Sequence, residues 1–151
     1  LGAPDRRTGP VVELIHVPML SVQASAGHGA LAEMESKCAQ FGFDEKWLRR
    51  LTASKASSLS IIGVHGDSME PTLHDRDQVM VDLGDGLSRL RDGIYVLRMD
   101  DALNVKRIAI EPQGRRISVL SDNSAYPSWR GLERRSINVV GRVLWFGRAL
   151  Q

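Results

Sequence analysis

One cysteine, Cys38, is present in 151 residues, which excludes an internal disulfide and any cysteine-based metal motif, and agrees with a reducing compartment. Long apolar runs are missing too. No stretch approaches a membrane span, and the first residues lack the basic-then-apolar pattern of a secretion signal. A soluble, cytoplasmic protein is the expectation. Charge of one sign is also scarce. The formal net charge is +2, so nucleic-acid binding cannot be argued for this stretch, although arginine brings the pI to about 9.0. The pairs Arg49-Arg50, Arg115-Arg116 and Arg134-Arg135 read as solvated surface. His16, His28 and His74 lack the i, i+4 pairing of a metalloprotease helix. Asp75, Asp77 and Asp82 lack the glycine and closing glutamate of a calcium loop. No cofactor and no metal are expected.

What is present suits one domain. A hydrophobic fraction of 42% in 151 residues supports one core and leaves no second block of similar size. Residues 1–14, LGAPDRRTGPVVEL, read as a linker rich in proline, glycine and charge, and residues 15–151 as the domain. Apolar residues recur with period two in short runs between turn signals, which predicts a mostly β domain. Strands are expected near Ile15 to Val22, Leu59 to His65, Gln78 to Asp82, Ile94 to Met99, Leu103 to Ile110, Ile117 to Leu120 and Ser136 to Phe146. One short helix is expected over Asp44 to Leu51, with Asp44 as its cap and Trp47, Leu48 and Leu51 on its apolar face. Asp92-Gly93 and Asp100-Asp101 read as turns, the second joining two antiparallel strands.

Lysine is scarce as well, with four against sixteen arginines. One of the four, Lys106, lies in the apolar run ALNVKRIAI. As a strand this run points Leu103, Val105, Arg107 and Ala109 one way, and Asn104, Lys106, Ile108 and Ile110 the other. The amine therefore falls beside isoleucines, where desolvation lowers its pKa and populates the neutral base. Arginine could not do this, because its guanidinium stays protonated. A plain alternative is a snorkelling lysine whose tip reaches water.

Thirty-eight residues upstream, GDSMEPTL places Ser68 at the start of a turn. A serine hydroxyl needs a base to become a nucleophile, and a neutral lysine amine can serve. Ser68 also suits a helix cap, with Glu70 and Pro71 in the first turn. The two roles are compatible, since free N–H groups at such a position can hold an oxyanion. A Ser-His-Asp triad from His65, Asp67 and Ser68 is disfavoured, because neighbours on one strand-turn are badly placed for a relay.

The strings GDSMEPTL, DRDQVMVD, DGIYVLR, NVKRI, SDNSAYP and VVGRVLWFGR together resemble the carboxy-terminal domain of LexA-type and phage repressors, a family of self-cleaving Ser-Lys peptidases. The resemblance runs from about Val17 onward. SMEPTL alone would equally suit signal peptidases, which the missing membrane anchor disfavours. The resemblance implies a small, highly bent LexA-like antiparallel sheet. It implies Ser68 as nucleophile, Lys106 as general base, and the Asp67 and Ser68 N–H groups as the oxyanion hole. VQASAGHGALAE is similar to the family's cleavage segment, which puts the scissile bond at Ala26-Gly27. Small residues there let a backbone enter a narrow cleft.

The resemblance further implies a helix-turn-helix DNA-binding domain ahead of this chain, a homodimer, and stimulation by a RecA–single-stranded DNA filament. Cleavage would then part the DNA-binding heads from the dimer and end their joint hold on paired half-sites. A rival function stays open: a non-cleaving dimerisation or sensing module of a transcriptional regulator. SINVVGRVLWFGRAL, with Val140, Trp145 and Phe146, suits either pairing between copies or core packing.

Overall fold

The structure is a computed structural model that describes Gly2, residues 12–22 and residues 35–150. Among the described residues, nine strands form one sheet: β1 (Leu14–Val22), β2 (Glu35–Asp44), β3 (Leu59–Gly63), β4 (Gln78–Asp82), β5 (Gly93–Met99), β6 (Ala102–Ile110), β7 (Arg116–Leu120), β8 (Trp129–Glu133) and β9 (Asn138–Gly147). Their spatial order is β2-β1-β3-β4-β9-β5-β6-β7-β8. Neighbours pair antiparallel except β1 with β3, which meet in parallel at Met19 and Ile61, so the sheet is mixed.

The expected mostly β domain with one short helix is therefore found. The helix α1 (Glu45–Leu51) starts where Asp44 accepts a hydrogen bond from the Trp47 N–H, and it buries Leu48. Met99 and Ala102 pair directly, so β5 and β6 are joined by Asp100 and Asp101 alone. Both aspartates have positive φ, 49° and 62°, as a primed two-residue hairpin turn requires. Two strands were not legible from periodicity, β2 and β8. The five residues of β8 are mostly exposed, and Gly131 within it has φ 69°.

Burial follows the alternation. On β6, Leu103 and Val105 pack against a cluster of Leu20, Ile62, Val64, Met69, Leu73, Val79, Val81 and Val96. Ile108 and Ile110 face a second cluster with Tyr95, Leu97, Ile117 and Val119. A third holds α1: Phe43 stacks on Trp47, and Trp145 meets both edge-on at 5.5 and 6.3 Å. Trp145 thus packs within the domain, while its neighbour Phe146 is exposed beneath the Arg148 guanidinium. Arg148 makes a two-pronged ion pair with fully buried Asp77, fastening the end of β9 to the turn before β4.

Two register shifts bend β9, one opposite Val96/Leu97 of β5 and one opposite Met80/Val81 of β4. Gly141 lies between them, where a Cβ would sit 2.5 Å from the Asp82 carbonyl oxygen. Contact that close cannot be relieved by a side-chain rotation, because the obstacle is backbone. Gly141→Ala is expected to lower stability by about 1–3 kcal/mol, read from the midpoint of urea unfolding; an unchanged midpoint contradicts the tight approach.

Candidate active site

The site is built from a turn, a strand and a loop. Ser68 follows β3 in a run of turns in which Glu70 N–H donates to the Asp67 carbonyl and Leu73 N–H to that of Met69. No helix starts here, so the expected cap role is replaced by a turn. Met69, next to the serine, is buried in the same cluster that Val105, next to Lys106, packs against. Hydrophobic packing thus ties the serine turn to the lysine strand. The N–H groups of Asp67 and Ser68 have no acceptor among the described residues.

Lys106 lies in the middle of β6, opposite Tyr95 of β5, and is only 6% exposed. It does not snorkel. Burial depresses its pKa, and among the described residues no carboxylate pairs with the amine to restore it. Its Nζ donates to Ser121 Oγ at 2.8 Å. The described residues contain no hydrogen bond from Lys106 to Ser68. The amine also lies 5.9 Å from the centroid of the Tyr126 ring.

Residues 121–126 connect the two halves. Ser121 holds the amine, and Asp122 accepts from Arg107 Nε and NH2 at 2.7 Å and from the Thr72 hydroxyl. Asn123 N–H donates to the Ser68 carbonyl at 3.0 Å, and its side-chain amide to the Asp67 carbonyl at 3.0 Å. The Tyr126 hydroxyl donates to the Asp67 carboxylate, which raises the phenol's pKa. Adjacent residues of β6 thus grip adjacent residues of the loop, and the next loop residue grips the serine turn. Ser121, Asp122 and Asn123 were missed as site residues, although SDNSAYP was among the distinctive strings. Polar residues of these types between strands read as an ordinary turn.

His65 is exposed and has no hydrogen bond to Asp67 or Ser68 among the described residues, which removes the triad. No group of three His, Cys, Asp or Glu residues able to hold a metal occurs among the described residues. Ala26 and Gly27 lie outside them. No helix among them is long and apolar enough to cross a membrane. Arg115, Arg116, Arg134 and Arg135 line an open hollow with Glu133, but Arg116 and Arg134 are spent on the carbonyls of Gly131 and Gly114.

Folding lowers the Asp122 carboxyl pKa, chiefly through the Arg107 bond. The stability it contributes is therefore complete above about pH 4, the unfolded value, and is lost as pH falls through the lower folded value. Asp122→Asn should cost about 1.5–3 kcal/mol at neutral pH in chemical denaturation and flatten the acid side of the stability profile. Equal stability in both proteins across that range would show that the ion pair does not brace the loop.

Comparison with known proteins identifies the family. The Peptidase S24-like family matches residues 18–144. The 26 kDa repressor protein of Escherichia phage HK022 is 34% identical over 137 residues, covering 85% of this chain and 55% of that protein. An uncharacterized HTH-type transcriptional regulator of Haemophilus influenzae is 32% identical over 137 residues, covering 86% and 54%. Repressor protein CI of Enterobacteria phage phi80 is 28% identical over 145 residues, covering 94% and 60%. The chain spans little more than half the length of these relatives. With the family match running from β1 into β9 and taking in both Ser68 and Lys106, the chain belongs to the Peptidase S24-like family.

Proposed function

We propose that this domain is the carboxy-terminal regulatory part of a transcriptional repressor, and that it cuts its own chain at Ala26-Gly27 through Ser68 and Lys106, ending repression. The observation that carries this is the buried Lys106 amine, desolvated, without a carboxylate partner among the described residues, and tied through one loop to the turn that bears Ser68. A neutral Nζ takes the proton from Ser68 Oγ as that oxygen bonds to the Ala26 carbonyl carbon. The Asp67 and Ser68 N–H groups hold the resulting oxyanion. The C–N bond to Gly27 breaks, its nitrogen receives the proton from Lys106, and water then hydrolyses the acyl-serine with the same amine as base. Because substrate and nucleophile share one chain, tethering supplies the effective concentration.

Two of the relatives are named repressors and one an HTH-type regulator, which supports a role in transcription. In the longer protein a helix-turn-helix domain would hold DNA, with two copies paired as a homodimer. Exposed Phe146 at the end of β9 offers apolar surface for that pairing. Stimulation by a RecA–single-stranded DNA filament follows from the family resemblance. The second function, a non-cleaving dimerisation or sensing module, is favoured by one observation: the amine donates to Ser121, not to Ser68.

Incubation of the intact chain separates the two. Two fragments parting at Ala26-Gly27 are expected in mass spectra, formed at a rate that climbs about tenfold per pH unit until the Lys106 amine is neutral, then levels off. The rise with pH follows from the sign of the shift: desolvation lowers the amine's pKa, so deprotonation is reached below the ordinary lysine range. The rate constant should not change on dilution, since the cut is intramolecular. An intact chain throughout would favour the sensing module.

Ser68→Ala is expected to abolish the cut, and Lys106→Ala to slow it by about 10²–10⁴-fold, with circular dichroism unchanged in both. Retained activity in either variant would remove that residue from its role.

A further inference from the structure

We infer that Ser121 is the positioning residue that aims the Lys106 amine: its hydroxyl oxygen takes one N–H of the amine, leaving the nitrogen lone pair directed at Ser68. The inference rests on the Ser68–Lys106 chemistry proposed above and adds a third side chain to it.

Ser121 directly follows β7 and is 9% exposed, and its bond to Lys106 is the one hydrogen bond of that amine among the described residues. Its own hydroxyl proton has an acceptor within reach. Ser121 Oγ points at the Pro127 carbonyl at 3.5 Å, and its backbone N–H donates to Ser128 Oγ at 3.3 Å, so the hydroxyl is fixed within the loop. With its proton turned to Pro127, the oxygen can only accept from Lys106. A neutral amine has two N–H bonds and one lone pair. Had Ser121 donated instead, it would have occupied that lone pair and silenced the base.

Aiming matters because a lysine side chain carries about 2 kcal/mol of rotamer entropy on four carbons, and burial alone does not choose its rotamer. An acceptor at 2.8 Å chooses it. The same loop carries Asn123, which ties down Ser68 and Asp67, so amine and hydroxyl are referred to one short backbone segment. The ionisable groups on the amine's side are Tyr126, Asp67 and, next to the phenol, Glu70; Arg107 and Asp122, from the neighbouring positions of β6 and the loop, neutralise each other. Ser121 keeps its proton throughout, while the Ser68 proton passes to Lys106 Nζ.

The test measures Ser68 reactivity apart from loop docking. Diisopropyl fluorophosphate phosphorylates Ser68 Oγ with loss of fluoride, the proton leaving through Lys106, and its rate is recorded against pH for the intact chain alongside self-cleavage. In Ser121→Ala the plateau above the lysine midpoint should fall about tenfold or more while the midpoint moves to lower pH, because a lost acceptor no longer favours the ammonium form. A purely structural role would not lower the plateau while making the amine easier to deprotonate. Ser121→Thr should restore both.

If Ser121→Ala does not fold, Ser121→Thr against Ser121→Val isolates the hydroxyl at matched volume, with the same outcome expected. A plateau and midpoint equal to those of the unsubstituted chain overturn the inference. Labelling without self-cleavage would sink the proposed function and leave Ser121 judged by the labelling alone. Neither labelling nor cleavage at any pH overturns both.

Discussion

One ammonium group in the middle of a sheet is the constraint that orders this domain. Removing a lysine tip from water costs several kcal/mol unless a counter-charge or hydrogen bonds replace the lost solvent, and here one serine hydroxyl and the ring of Tyr126 stand in part of its place. Among the described residues no carboxylate is placed against it, so burial keeps its charged form costly and its pKa depressed. Tyr95 of β5 lies opposite Lys106 on one side, and Ser121, just past the end of β7, meets its amine on the other. The two-residue hairpin turn at Asp100 and Asp101 sets the register in which this happens.

The opposite face shows how the arrangement is held. Arg107, the next residue along β6, points away from Lys106 and carries a full two-pronged bond to Asp122. A stable ion pair and an isolated amine thus stand one residue apart, with opposite pKa consequences: Arg107 is pushed up and Lys106 down. The strand's period of two is what keeps these environments separate. A loop that grips both faces of a central strand cannot shift without breaking bonds on each, and through Asn123 it imposes the same restraint on the serine turn.

Much of this was legible in the residues. The alternation of β6 placed Lys106 beside Ile108 and away from Val105, and the aspartate cap with its Trp47, Leu48 and Leu51 face located α1 to within a residue. Periodicity failed where burial is slight. Strand β8 has Trp129 exposed and a glycine with positive φ in place of a core residue, and β2 carries Gly42 between its aromatics with polar Gln40 and Asp44 on either side. The parallel contact of β1 with β3 depends on a long-range crossing that no local pattern encodes. Ser121 was hidden for another reason. Its importance lies in the distance to a side chain fifteen residues earlier, and a serine among aspartate, asparagine and proline looks like any turn.

The outermost strand has a consequence for how the molecule behaves in a crowded solution. An open sheet ends in unsatisfied backbone groups, which can recruit a strand from another chain and seed a fibre. On β8 such an intruder meets a ladder kinked at Gly131, with Arg130 and Glu133 projecting into water. The kink spoils the straight run of donors and acceptors that stacking needs, and the charged side chains resist being dehydrated between layers. This border of the sheet is therefore self-terminating, and colloidal stability is built into the same irregularity that hid the strand from view.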